Sequence, residues 1–248
     1  MTLKNTGRLR IVATALLVIL ALPGGCRCDP SPGSTAGAAR PDGKIDFDAL
    51  MEEAGEDRRR SWTFDGDTLD AAPPGFSFAR TGPGKQGRWV VTEDPSAARP
   101  RVLAQTDSDM SFRYLLALPD EPQLGDGAVS VRCKLVSGKV EQLCGIAVRY
   151  VDEDNYYVAR LNALENSVRL WIVKNGERSQ LAHFTSRISY DTWYELAVSA
   201  RADHLEVFLD RARVIDHRDG TLFKPGKFGL WTEKDAVTHF DDLRVVLY

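Results

Sequence analysis

The 248-residue sequence is poor in cysteine, poor in histidine, and without a surplus of positive charge. Of its four cysteines, Cys26 and Cys28 stand near the N-terminus and only Cys133 and Cys144 lie in the body of the chain. There is no Cys-x-x-Cys, and no histidine is near either body cysteine, which excludes a thioredoxin-like or zinc-binding role. His183, His204, His217 and His239 are scattered with no ligand spacing. The formal net charge is -3. A nucleic-acid binder wants a basic face for phosphate, so that class is excluded as well. No apolar run beyond residue 22 is long enough to span a bilayer, and no stretch after residue 60 holds three helical turns. A serine elbow, a phosphate loop, a dinucleotide fingerprint and an internal repeat are all missing.

What the chain does have begins with an export signal. Lys4, Arg8 and Arg10 precede an apolar run over residues 11–22, and Pro23-Gly24-Gly25-Cys26 follows. This is the pattern of a bacterial signal peptide over residues 1–25. Cys26 after two glycines resembles a lipoprotein cleavage box, although Pro23 stands where leucine is usual. Lipidation of Cys26 would tether the protein to a membrane; ordinary cleavage nearby and an uncleaved anchor remain the alternatives. Loss of residues 1–25 takes three positive charges from a chain of net -3 and leaves -6. Residues 26–60 read as a linker, rich in Pro, Gly, Ser and Ala up to residue 44. Residues 45–60 are either a short helix, with Phe47, Leu50 and Met51 on one side, or the linker's tail.

Residues 61–248 alternate. Val129, Val131, Cys133 and Leu135 share one strand face, and Cys144, Ile146, Val148 and Tyr150 share another. Ser137-Gly138-Lys139 between them is a turn signal. An antiparallel hairpin with position sums of 277 sets Cys133 opposite Cys144 and Val131 opposite Ile146. These cysteines form a disulfide or remain two buried thiols. Asp152-Glu153-Asp154-Asn155 and Asn175-Gly176 read as tight turns, the latter a strong hairpin signal. Residues 192–201 and 205–214 read as one long hairpin. At least eleven short strands with turn-rich joins predict an all-β, two-sheet antiparallel sandwich.

Several phrases then align in order: Cys144-Gly-Ile-Ala-Val-Arg149-Tyr150, Asp154-Asn155-Tyr156-Tyr157-Val158-Ala159-Arg160, Asn166-Ser-Val-Arg169-Leu170 and Asn175-Gly176-Glu177-Arg178. Trp193-Tyr-Glu195-Leu196, Val207-Phe-Leu-Asp210, Pro225-Gly-Lys-Phe-Gly-Leu-Trp231 and Phe240-Asp241-Asp242-Leu243 complete the series. It resembles the concanavalin A-like lectin/glucanase superfamily, nearest to exported bacterial domains called 3-keto-disaccharide hydrolase-like and more distantly family 16 glycoside hydrolases. The resemblance implies a jelly-roll sandwich over residues 61–248 with a concave, sugar-binding face. The Glu-x-Asp-x-x-Glu strand that carries acid and nucleophile in family 16 is not in this sequence.

Arg, Tyr and Trp lining a groove suit a sugar, because aromatic faces stack on the ring and charged donors bind hydroxyls. Strand parity nominates Arg132, Arg149, Tyr157, Arg160, Arg169 and Trp171 as ligand-binding residues. Asp65, Asp241 and Asp242 are the candidate calcium ligands, since related sandwiches often bind calcium near their first and last strands. The expected function is a non-catalytic, extracytoplasmic lectin-like module for a glycan or envelope component, anchored by lipid or by its signal. A hydrolase of oligosaccharides or 3-keto-disaccharides and a structural envelope lipoprotein are the alternatives.

Overall fold

The computed structural model describes residues 43–248. The signal of residues 1–25, Cys26 and the linker up to residue 42 lie outside the described residues. A short helix, α1 (Phe47–Glu53), opens the described chain. Fifteen strands follow it: β1 (Arg59–Trp62), β2 (Phe76–Thr81), β3 (Trp89–Glu93), β4 (Arg101–Gln105), β5 (Tyr114–Pro119), β6 (Gly127–Ser137), β7 (Leu143–Asp152), β8 (Asn155–Asn162), β9 (Ser167–Lys174), β10 (Glu177–Thr185), β11 (Trp193–Arg201), β12 (His204–Leu209), β13 (Ala212–Arg218), β14 (Lys227–Glu233) and β15 (Val237–Leu247). They make two antiparallel sheets. One runs β13-β12-β11-β6-β15-β4-β3, with β1 also paired to β15; the other runs β10-β9-β8-β7-β14-β5-β2. The all-β, two-sheet jelly-roll sandwich expected from the sequence is the architecture observed.

The main core lies between the sheets. Val129, Val131, Cys133 and Leu135 of β6 meet Cys144, Ile146 and Val148 of β7, with Leu170, Leu196, Phe228 and Phe240 around them. The faces read from the sequence are therefore right except at Tyr150, which the bulge at Arg149 turns to the outer cluster, but the hairpin is not. The backbone of β6 bonds to β11 and β15, whereas β7 bonds to β8 and β14. The two strands face each other across the core from opposite sheets. The crossover is clamped by Asp235, whose carboxylate accepts the backbone N–H groups of Lys139 (2.6 Å), Val140 (3.1 Å) and Glu141 (3.0 Å). Gly138 begins it, where a Cβ would run into the Glu141 carbonyl oxygen. Cys133 and Cys144 are bonded, with Cα atoms 6.5 Å apart, and tie one sheet to the other.

Two boundaries also move. The supposed strand over residues 205–214 is two strands, β12 and β13, joined at Asp210 and Arg211, both with left-handed φ (47° and 70°). At the other end, the folded body starts before Ser61. The N–H of Ile45 donates to the Arg211 carbonyl (3.0 Å) and that of Arg213 to the Gly43 carbonyl (2.9 Å). Asp46 caps α1 by accepting the Ala49 N–H. Phe47 is fully buried with Ile45, Ala128, Ala197, Phe208 and Val246. A seven-residue helix is too short to declare itself by periodicity.

The bridge between Cys133 and Cys144 closes a loop with a sequence separation of 11. Replacing both cysteines by alanine should cost about 3 kcal/mol, the loop-entropy value for a ring of this size. Denaturant melts of the variant and the parent measure it; equal midpoints would show that the bridge contributes nothing.

Candidate functional site

The outer face of the seven-stranded sheet curls over itself. On a flat sheet, β10 and β14 are four steps of about 4.8 Å apart, or about 19 Å. Yet Arg178 of β10 forms an ion pair with Glu233 of β14 at 2.6 Å. At the opposite edge, Thr81 of β2 hydrogen-bonds the Tyr156 hydroxyl of β8 (3.0 Å) and donates to the Glu153 carbonyl, again across four steps. The concavity holds a second apolar cluster of Tyr114, Leu116, Tyr156, Val158, Val173 and Trp231. It is a face largely filled by its own side chains, not an open groove across its full width.

A polar cluster sits where β8, β9 and β10 border this apolar patch. Arg160 and Arg169, paired residues of β8 and β9, share the Glu165 carboxylate at 3.1 Å each. Burial pushes that carboxyl up, but the two guanidinium groups outweigh it and hold Glu165 below the usual carboxylate range. Arg160 and Arg169 lie 5.7 and 5.8 Å from the Trp171 ring. Arg178 lies over the same ring at 4.5 Å and over the Tyr114 ring at 4.8 Å. Five buried polar atoms here have no hydrogen-bond partner: Nε and Nη1 of Arg160, Nε of Arg169, Nε1 of Trp171 and Oε1 of Glu233, the last with only Lys234 nearby at 3.7 Å. An unmet buried donor or acceptor costs about 1–3 kcal/mol, so such a cluster is built to meet something. These atoms are enclosed as the side chains stand, and the parts of the cluster open to solvent are the partly exposed Trp171 and Arg169 and the exposed Glu165.

Of the six nominated ligand residues, the fold gathers Arg160, Arg169 and Trp171. Arg132 is on the other sheet's outer face, 5.5 Å from the Trp193 ring, on the far side of the sandwich. Arg149 falls at a bulge with φ 50°, which turns its side chain inward. Buried there, it donates to the carbonyls of Gly125 (3.2 Å) and Leu222 (3.1 Å) and pairs with Asp126 (3.2 Å). Tyr157 points into the main core; its hydroxyl donates to Asp219 (2.5 Å) and accepts the Leu222 N–H (2.9 Å). Both are loop anchors.

Arg178, Glu165, Tyr114 and Glu233 were not singled out from the sequence. Arg178 had a signal, because a two-residue Asn175-Gly176 turn fixes its register opposite Val173 and so sets it on Trp171's face. Glu233 had none. It also brings a carboxylate pair into being: Lys234 lies 3.1 Å from Glu141 and 3.7 Å from Glu233. Lys234 bridges the two carboxylates, and Arg178 also pairs with Glu233.

No family model matches the chain. A levanase from Bacillus subtilis (strain 168) is 28% identical over 155 residues, 62% of this chain and 19% of the levanase. The chain thus spans less than a fifth of that curated relative's length. Among solved structures, the carbohydrate-binding module CBM66 from Bacillus subtilis matches with a TM-score of 0.55 at 21% identity, over 68% of this chain and 94% of the module. The GH43 protein BlXynB from Bacillus licheniformis gives 0.53 at 16% identity, over 78% of this chain and 40% of its own. These likenesses are of fold.

The calcium candidates gather on the eight-stranded sheet, around a guanidinium. Arg99 pairs with Asp65 at 3.2 Å and with Asp242 at 2.7 Å. Asp241 is fully buried; one oxygen accepts the Asp242 N–H (2.7 Å) and Oδ2 has no partner. Calcium would have to displace Arg99, so the set fits a guanidinium better than a metal. Elsewhere among the described residues, His204, Glu206 and Asp216 bring ligand atoms together, but Arg213 already pairs with both carboxylates (2.6 and 2.9 Å). Burial and the neighbouring Asp242 charge push the Asp241 carboxyl up to about 6, from an ordinary 3.8. The folded state therefore binds this proton more tightly than the unfolded state. Its contribution to stability is largest below pH 3.8 and is lost as the pH rises through 6. The Asp241→Asn variant should lose this part of the pH dependence and be at least as stable as the parent at pH 7.5. Thermal melts between pH 4 and pH 7.5 test this, and an unchanged profile would refute it.

Proposed function

We propose, for a chain whose fold is the concanavalin A-like jelly roll, that it is a non-catalytic, extracytoplasmic glycan-binding module. Its sugar sits against Trp171 on the concave face. The observation that carries this reading is the set of five unmet buried polar atoms on Arg160, Arg169, Trp171 and Glu233 beside an aromatic surface. Trp171 offers the stacking face, and Arg160 and Arg169 donate to hydroxyl or ring oxygens. Glu165 orients the two arginines. The levanase and the CBM66 module support a sugar as the ligand. The signal-like residues 1–25 and Cys26 support placement in the bacterial envelope, tethered by lipid. Failure of Cys26→Ser to abolish incorporation of labelled palmitate would refute the tether.

Affinity electrophoresis against levan, xylan and mixed-linkage β-glucan tests the binding. The Trp171→Ala and Arg160→Ala variants should each bind at least about tenfold more weakly, the loss of one charged hydrogen-bonding or stacking group. Full binding by both variants would contradict the site. Glu141 and Glu233 beside Lys234 favour a second reading, a hydrolase. Release of reducing sugar that Glu233→Gln abolishes would establish that reading and overturn the non-catalytic one.

A further inference from the structure

The polar cluster does not end at Tyr114. Phe112 packs edge-on against the Tyr114 ring, with centroids 5.6 Å apart and planes at 64°, and is 56% exposed. Lys234 lies 5.4 Å from the outer ring and reaches Glu141, which accepts a hydrogen bond from Asn162 on the strand that carries Arg160. One residue on from Lys234, Asp235 clamps the crossover loop. Beyond that loop opens a cleft of about 430 Å³ lined by Ser108, Met110, Lys139, Gln142, Tyr190 and Asp235. At its rim Met110 is 60% and Tyr190 66% exposed. Large apolar side chains exposed to water are ordinary singly and informative where they gather along one surface. Aromatic rings at intervals beside hydroxyl, amide and carboxylate groups are what a linear sugar chain meets when it runs along a surface.

We infer that the binding surface is extended. The glycan is a chain that leaves the Trp171 cluster, stacks a further sugar on Phe112, and enters the cleft at Tyr190. This rests on the concave-face reading and adds outer subsites to it. The ligand class is thereby an oligosaccharide or polysaccharide of several units, not a lone terminal sugar.

Titration calorimetry with levan, xylan and mixed-linkage β-glucan fragments of one to six sugars tests it. Affinity of the parent protein should rise beyond two sugars. Phe112→Ala and Tyr190→Ala should bind mono- and disaccharides like the parent and the longer fragments about three- to tenfold more weakly, the usual effect of one aromatic contact. Both side chains are exposed, so matching thermal melts will confirm that the variants fold. Parent affinity that stays flat beyond two sugars, or variants that bind long fragments as the parent does, would overturn the extension. In that case, continued loss of short-fragment binding by Trp171→Ala keeps the concave site standing. Binding of no fragment at all overturns both.

Discussion

The Arg178–Glu233 ion pair joins strands that a flat sheet would hold about 19 Å apart. Its carboxylate is fully buried, and its guanidinium rests between the rings of Trp171 and Tyr114. A buried carboxylate left alone would be expensive, so the curl of the sheet and the pair depend on each other. With Thr81 bridging to Tyr156 at the opposite edge, the curl turns what would be a solvated sheet face into a second apolar cluster. At the β8-β9-β10 border, and on through Phe112, polar groups meet the outside beside aromatic rings. The position of any ligand follows from that geometry.

The disulfide sets the other dimension. It fastens the curled sheet to the eight-stranded one at Cys144 and Cys133. On its far side the second sheet spends its charges on itself. Arg211 and Arg244 take the Asp48 carboxylate of α1, Lys134 takes Asp94, and Arg99 takes Asp65 and Asp242. Cations on both faces are ion-paired, and Arg244 Nε also lacks a hydrogen-bond partner; what sets the Arg160 cluster apart is that several such atoms gather around one partly exposed indole, Trp171.

Much of this was legible in the residues. Period-two alternation named the core faces of β6, of β9 and of β7 up to Val148, but it set Tyr157 of β8 on the ligand face when it points into the core; Asn175-Gly176 fixed the β9–β10 turn. The partner of a strand was not legible. Val131 and Ile146 alternate identically whether their strands are hydrogen-bonded neighbours or face each other from two sheets, so alternation alone does not choose between the two. Parity likewise failed at Arg149, where a bulge moves the side chain to the other side. It also merged the outer faces of both sheets, which is how Arg132 joined a group that lies across the molecule. Glu233 reached the site through the curl, a long-range consequence that no local pattern encodes.

The central claim is that sugar contacts the Trp171 indole. The chain has five tryptophans, so its ¹H–¹⁵N spectrum carries five indole N–H signals, each assignable by substitution. Titration with the tightest-binding oligosaccharide should shift the Trp171 signal most, as its unpartnered Nε1 gains an acceptor, and leave that of Trp193 on the opposite sheet in place. Movement of the Trp193 signal with Trp171 unchanged would contradict the account.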